Sequence, residues 1–171
     1  MRGWLLAALA AGCSSTPQKS DWEKSHETRL GDEEKLVMPA YPRKENLVEI
    51  HVSATAEFRY YVDAASLAVG KDRVVRYVLV ARSPQGAENV SYEAIRCPDQ
   101  HRIYATGQRD GTWSERVAPW REITRGTALG WPYALARYYF CPHRDPIQSA
   151  AEGVDALRRG VHPAVRVETF R

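Results

Sequence analysis

The run VVRYVLVAR (Val74–Arg82), followed by SPQGAEN and then by NVSYEAIRC (Asn89–Cys97), decides the fold. The first run is β-branched and free of breakers, with apolar residues at both odd and even positions. Successive strand residues point to opposite faces, so this pattern predicts a central strand covered on both sides. The second run sets Val90, Tyr92 and Ala94 against Ser91, Glu93 and Ile95. The Ser-Pro-Gln-Gly between them is turn chemistry, and strands joined so closely are antiparallel neighbours.

The same texture extends outward in both directions. Upstream, LVEIHVS (Leu47–Ser53) and EFRYYVD (Glu57–Asp63) predict strands, the latter with Phe58, Tyr60 and Val62 on one face. SLAVG ends at Gly70 and GKDR turns the chain, and Asp63 is expected to end its strand and cap the next turn. Downstream, CPDQ turns into HRIYATGQ (His101–Gln108), RDG makes a hairpin-type turn, and TWSERV is short and extended. After Trp120 the period changes. WPYALARYYFC (Trp131–Cys141) places Ala134, Leu135, Tyr138 and Tyr139 at helical spacing, with Pro132 in the first turn. DPIQSAAEGVDALRRG (Asp145–Gly160) predicts a second helix, capped near Asp145 or Ser149 and closed by Gly160. Strands followed by helices mean α+β. The expected fold is an antiparallel β-meander sheet with C-terminal helices packed on one face and one disulfide.

The chain opens MRGWLLAALAAGC, a positive residue and then an apolar run of Trp4–Ala11 ending in small residues before Cys13. This is secretory-signal logic, and the run is far shorter than the ~20 residues a spanning helix needs. Leu-Ala-Ala-Gly-Cys resembles the lipobox of bacterial lipoproteins, which implies cleavage before Cys13 and acylation of Cys13. Ser14 is not acidic, and by the same resemblance this favours the outer over the inner membrane. More than one acyl chain is needed for stable anchoring. The expected organisation is a lipoprotein signal peptide at 1–12, a flexible tether at 13–35, a folded domain at 36–160 and a tail at 161–171. The tether, polar and charged, spans roughly 25 Å as a coil.

Of 171 residues, 24 are Lys or Arg and 21 Asp or Glu, mixed through the chain, with a formal net charge of +3. Nucleic acid would need a concentrated basic stripe, which is missing, so nucleic acid is not an expected partner. Beyond Cys13, only Cys97 and Cys141 remain, and an exported even pair is a disulfide candidate. Two other states stay open. Cys97, His101, Cys141 and His143 supply the ligand types of a zinc site, although the spacing is poor for one, and both thiols could stay free.

Several blocks occur in order: PAYP (Pro39–Pro42), VDAASLAVG, VVRYVLVA, GAENVSYEAIRC, IYATG, GTWSERVAPWREI and YYFCP. Together, over roughly Leu36 to Arg159, they resemble the cryptic-neisserial-protein-like family of proteobacterial envelope proteins. Ala94 stands where that family's motif has Gly. The resemblance implies an exported or lipidated protein with both cysteines shared, and it transfers no catalytic residue.

Catalytic motifs are missing: there is no HExxH, Gly-x-Ser-x-Gly, phosphate-binding Gly-rich loop or EF-hand loop. Ser91, His101 and Asp99 can be drawn as a triad, but any sequence of this size allows one. The informative cluster is aromatic and basic. Arg76, Tyr92, Arg96, Tyr104, Trp113 and Trp120 fall on successive strands and are types that dominate binding hot spots. Packing of these rings in the core and at edges is the simpler account, and an exposed binding face the functional one. The expectation is a non-enzymatic outer-membrane-anchored module on the periplasmic side, attached to the membrane by its lipid. It binds an envelope protein, glycan or lipid, with no cofactor and no metal. The alternative is an envelope enzyme, hydrolase-like, with a site near His101, Asp99 and Arg96.

Overall fold

The structure is a computed structural model that describes residues 33–124 and 130–165. The signal-like segment, Cys13, the tether through residue 32 and the end of the tail lie outside the described residues. Seven strands form one sheet: β1 (Leu47–Ile50), β2 (Arg59–Val69), β3 (Val74–Arg82), β4 (Glu88–Arg96), β5 (Gln100–Gly107), β6 (Trp113–Glu115) and β7 (Arg121–Glu122). The first six lie in sequence order as an antiparallel meander, and β7 pairs with the other end of β5. All of β3 from Val74 to Ala81 is buried, as expected of a strand with apolar residues on both faces.

The two faces have separate cores. Register puts Val75, Tyr77, Leu79 and Ala81 of β3 beside Ile95, Glu93, Ser91 and Asn89 of β4 on the first face. Val74, Arg76, Val78 and Val80 pair with Arg96, Ala94, Tyr92 and Val90 on the second. The first core continues into the helical segments through Leu135, Tyr139, Phe140, Ile147 and Leu157. The second is closed by Leu36, Met38, Tyr41, Leu47, Trp113 and Trp120, from the arm before β1, the start of β1 and the segment after β5.

Two details differ from expectation. The runs containing Asp63 and Leu67 belong to a single strand, β2, with a register shift between Asp63 and Ala68. Asp63 therefore does not end a strand. Its buried carboxylate accepts from the Ala65 N–H at 3.1 Å inside the irregular stretch, and burial raises its pKa. The helical layer is also slighter than expected. α1 spans only Gly130–Ala134, and Leu135–Phe140 continue as a π-helix in which the Cys141 N–H donates to the Ala136 carbonyl. α2 is Ala150–Arg159, shorter than the predicted Asp145–Gly160 because Ser149, not Asp145, caps it by accepting from the Glu152 N–H. Gly160, at φ 77°, closes it in the left-handed conformation. Gly153 lets α2 approach β2, since a Cβ there would lie 2.5 Å from Leu67.

Cys97 and Cys141 are joined in a disulfide with Cα atoms 5.6 Å apart. It fastens the end of β4 to the end of the π-helix. Both sulfurs are consumed, so neither the zinc site nor the free-thiol pair applies. Among the described residues, no helix is long and apolar enough to cross a membrane.

Candidate functional site

The helical layer covers only part of the first face. Beyond Trp131 the sheet is left open as a groove of about 770 Å³. Its floor is Leu79, Ala81, Asn89, Ser91, Ile103 and Thr106, with Glu93 just beneath. One side is formed by Phe58, Tyr60 and the loop before them, including Val52, Ser53, Thr55 and Glu57, and the other by Gly130 and Trp131. The size suits a small ligand, and the mixture of apolar walls with a few polar groups is that of ligand sites in general. Three aromatic rings run along it: Phe58 and Tyr60 have centroids 6.4 Å apart, Tyr60 and Trp131 5.3 Å.

Under the floor lies Glu93, with no exposed surface. β4 turns its side chain inward because alternation assigns it to the face of Tyr77 and Leu79. Four donors meet its carboxylate, from four elements. Ser91 Oγ of β4 donates to Oε1 at 2.6 Å, Tyr77 Oη of β3 to Oε2 at 3.1 Å, and Trp131 Nε1 of α1 to Oε2 at 3.0 Å. The His101 Nε2 of β5 lies 2.9 Å from Oε2. Burial, followed by the neighbouring Glu93, pushes the Tyr77 phenol well above its usual pKa, so Tyr77 stays a donor. An acceptor-only carboxylate fits such a ring of donors.

The second face handles its charges differently. Arg76 pairs with Asp72 through two contacts, 2.5 and 3.1 Å, and lies 3.8 Å from Glu33. Glu33 also accepts from Arg102 and from the Tyr104 hydroxyl. Burial raises the Asp72 pKa, but the bonds from Arg76 and from the Glu34 and Val74 N–H groups outweigh it, and the net shift is downward. Trp120 lies between two guanidinium groups, 4.5 Å from Arg96 and 4.7 Å from Arg102. Tyr92 packs on Tyr104 and Trp113, and the Trp113 indole donates to the Pro39 carbonyl at 2.9 Å.

All six residues of the sequence-derived aromatic and basic cluster therefore share this second face. Arg76, Tyr92 and Tyr104 are buried in it, while Arg96, Trp113 and Trp120 are half-buried. The second grouping, His101, Asp99 and Arg96, does not converge. His101 is under the groove, Arg96 is against Trp120 on the opposite face, and Asp99 is in the β4–β5 turn, 4.0 Å from Arg144. Ser91 and His101 do come together, through Glu93 rather than Asp99. Sequence reasoning did not single out Glu93. The available signal was a glutamate in mid-strand beside a strand that is apolar on both faces, where its side chain has nowhere to go but inside.

The family model described as the CNP1-like family matches residues 26–158, and the chain belongs to that family. No curated protein and no solved structure matches the chain.

Proposed function

We propose that this CNP1-like protein is a non-enzymatic binding module of the bacterial cell envelope, tethered through a lipid on Cys13 at the periplasmic side of the outer membrane, and that its groove receives the ligand. The anchor rests on the Leu-Ala-Ala-Gly-Cys pattern after a short apolar run. The binding role rests on the groove: an open, aromatic-walled cavity laid over a carboxylate whose donors come from four elements. Such convergence fixes the floor rigidly, and a preorganised floor lowers the entropic cost of binding. A non-enzymatic role is supported by how Ser91 and His101 are engaged. Ser91 Oγ and His101 Nε2 are both engaged by Glu93, so among the described residues they are not paired with each other as nucleophile and base.

Two measurements on membrane-extracted native protein test this. Intact mass should show loss of residues 1–12 and an acyl-lipid addition on Cys13. A residue-resolved NMR screen with a chemically mixed fragment library should concentrate its hits on Ser91, Thr106 and Trp131. An unmodified Cys13 overturns the anchor. Hits confined to the Trp113 and Trp120 side, or none at all, overturn the groove.

A further inference from the structure

We infer that the ligand of the groove is an organic cation, an ammonium or guanidinium group carried on an apolar stem. This deepens the binding-module reading and rests on it. The first observation is charge. Two carboxylates belong to the groove, Glu93 beneath the floor and Glu57 on the exposed rim, and among the described residues none of its lining groups is Lys or Arg. Basic residues are not scarce in the chain, which carries 24 of them against 21 acidic.

The second observation is how Glu93 is balanced. A buried charge is costly unless paired and hydrogen-bonded. Glu93 has the hydrogen bonds but no permanent cation. Tyr77, Ser91 and Trp131 are neutral donors, and His101, behind the carboxylate and not among the lining residues, is the one of these four partners that can carry a positive charge. On the opposite face Asp72 is neutralised by Arg76, while the buried Asp63, which has a backbone N–H from Ala65, is held with its pKa raised by burial. The charge below the floor thus acts on a groove with low-dielectric apolar walls, where attraction is stronger than in bulk solvent.

The third observation is the walls. Phe58, Tyr60 and Trp131 present aromatic surface to the same space. Ring faces attract cations, Trp most of all, and their apolar bodies hold an alkyl or aryl stem. Anionic ligands meet the opposite field throughout.

The test uses three near-isosteric probes that differ only in their head group: 4-phenylbutylamine, 4-phenylbutanol and 4-phenylbutyrate. Each is titrated into the full-length protein and followed by residue-resolved NMR. The amine should bind at the groove about tenfold more tightly than the alcohol, about 1.4 kcal/mol, with the carboxylate weakest. Added salt should narrow the gap. Glu93→Gln should abolish most of the preference. Glu57→Gln, at an exposed position that folding does not depend on, should reduce it by a smaller factor. Equal binding of amine and alcohol, or preference for the carboxylate, overturns the cation while leaving the groove as a binding site. Failure of all three probes to shift groove residues counts against both.

Discussion

Glu33 and Glu93 are both acidic side chains gripped by several donors, one on each face of the same sheet, and they do different work. Glu33 meets Arg102, Tyr104 and Arg76, so its charge is cancelled where it sits and the arm carrying it is stapled over the second core. Glu93 meets neutral donors and one histidine beside an open cavity. Glu33 takes its cations from the chain itself. In the proposed reading Glu93 leaves that position to a ligand. The contrast sets the closed face against the proposed binding face without reference to any motif.

The contrast can be broken hardest at Arg76. Arg76→Met leaves the buried Asp72 carboxylate without its cation, and removal of one partner from such a pair costs about 3–5 kcal/mol. Urea unfolding should show the loss, and Arg76→Met with Asp72→Asn should recover part of it. The pH dependence has a definite sign. The folded Asp72 pKa is lowered, so its contribution is fully present above its ordinary value of 3.8 and disappears as pH falls through the lower folded value. Acid unfolding curves should therefore lose this component in Arg76→Met.

Next in size is the bond that holds the helical segments to the sheet. Cys97→Ser with Cys141→Ser opens a loop with a sequence separation of 44, which the chain-entropy model values at about 4 kcal/mol. Because the disulfide anchors the helical layer that presents Trp131, groove binding should weaken beyond what stability alone explains. The second face should keep its Trp113 environment. If both faces loosen together, they are not independent.

Glu93→Gln sharpens the comparison. Gln places an amide N–H₂ among donors and leaves at least one without an acceptor, for about 1–3 kcal/mol. That is less than Arg76→Met, because no ion is left unpaired, yet it should remove most cation preference. Denaturant unfolding and ligand titration on one sample would show the two effects apart. The smallest effect is expected at Trp120→Ala, which deletes two cation–π contacts and part of a half-buried ring, for about 1–2 kcal/mol, with groove binding unchanged.

The sheet was legible in the chain because β3 is apolar on both faces, β4 alternates and short turns join the strands, and the helix stop at Gly160, with Ser149 as one of two candidate caps, was legible for similarly local reasons. Cys97 and Cys141 were readable as a pair from their number. What escaped had non-local causes. The continuity of β2 through Asp63 depends on a register shift against β3, which no local pattern encodes. Tyr92, Tyr104 and Arg76 were recognisable as sharing a face. Burial of the rings was the simpler reading of the sequence; that of Arg76 was not legible, because its carboxylate partners Asp72 and Glu33 come from the β2–β3 turn and from the arm before β1. Glu93 was hidden for the reason that makes it informative: its four partners, at positions 77, 91, 101 and 131, span 54 residues, and only the folded sheet brings them to one carboxylate.

The most direct test of the two-face account is the indole N–H spectrum of the ¹⁵N-labelled protein, recorded during titration with 4-phenylbutylamine. Trp131 reports the groove, and Trp113 and Trp120 report the closed face. The account predicts that the Trp131 resonance moves in a saturable way while Trp113 and Trp120 stay still, and that Glu93→Gln suppresses the movement. Saturable movement of Trp113 or Trp120 with Trp131 unmoved would contradict it, because the face held shut by its own ion pairs would then be the one that binds.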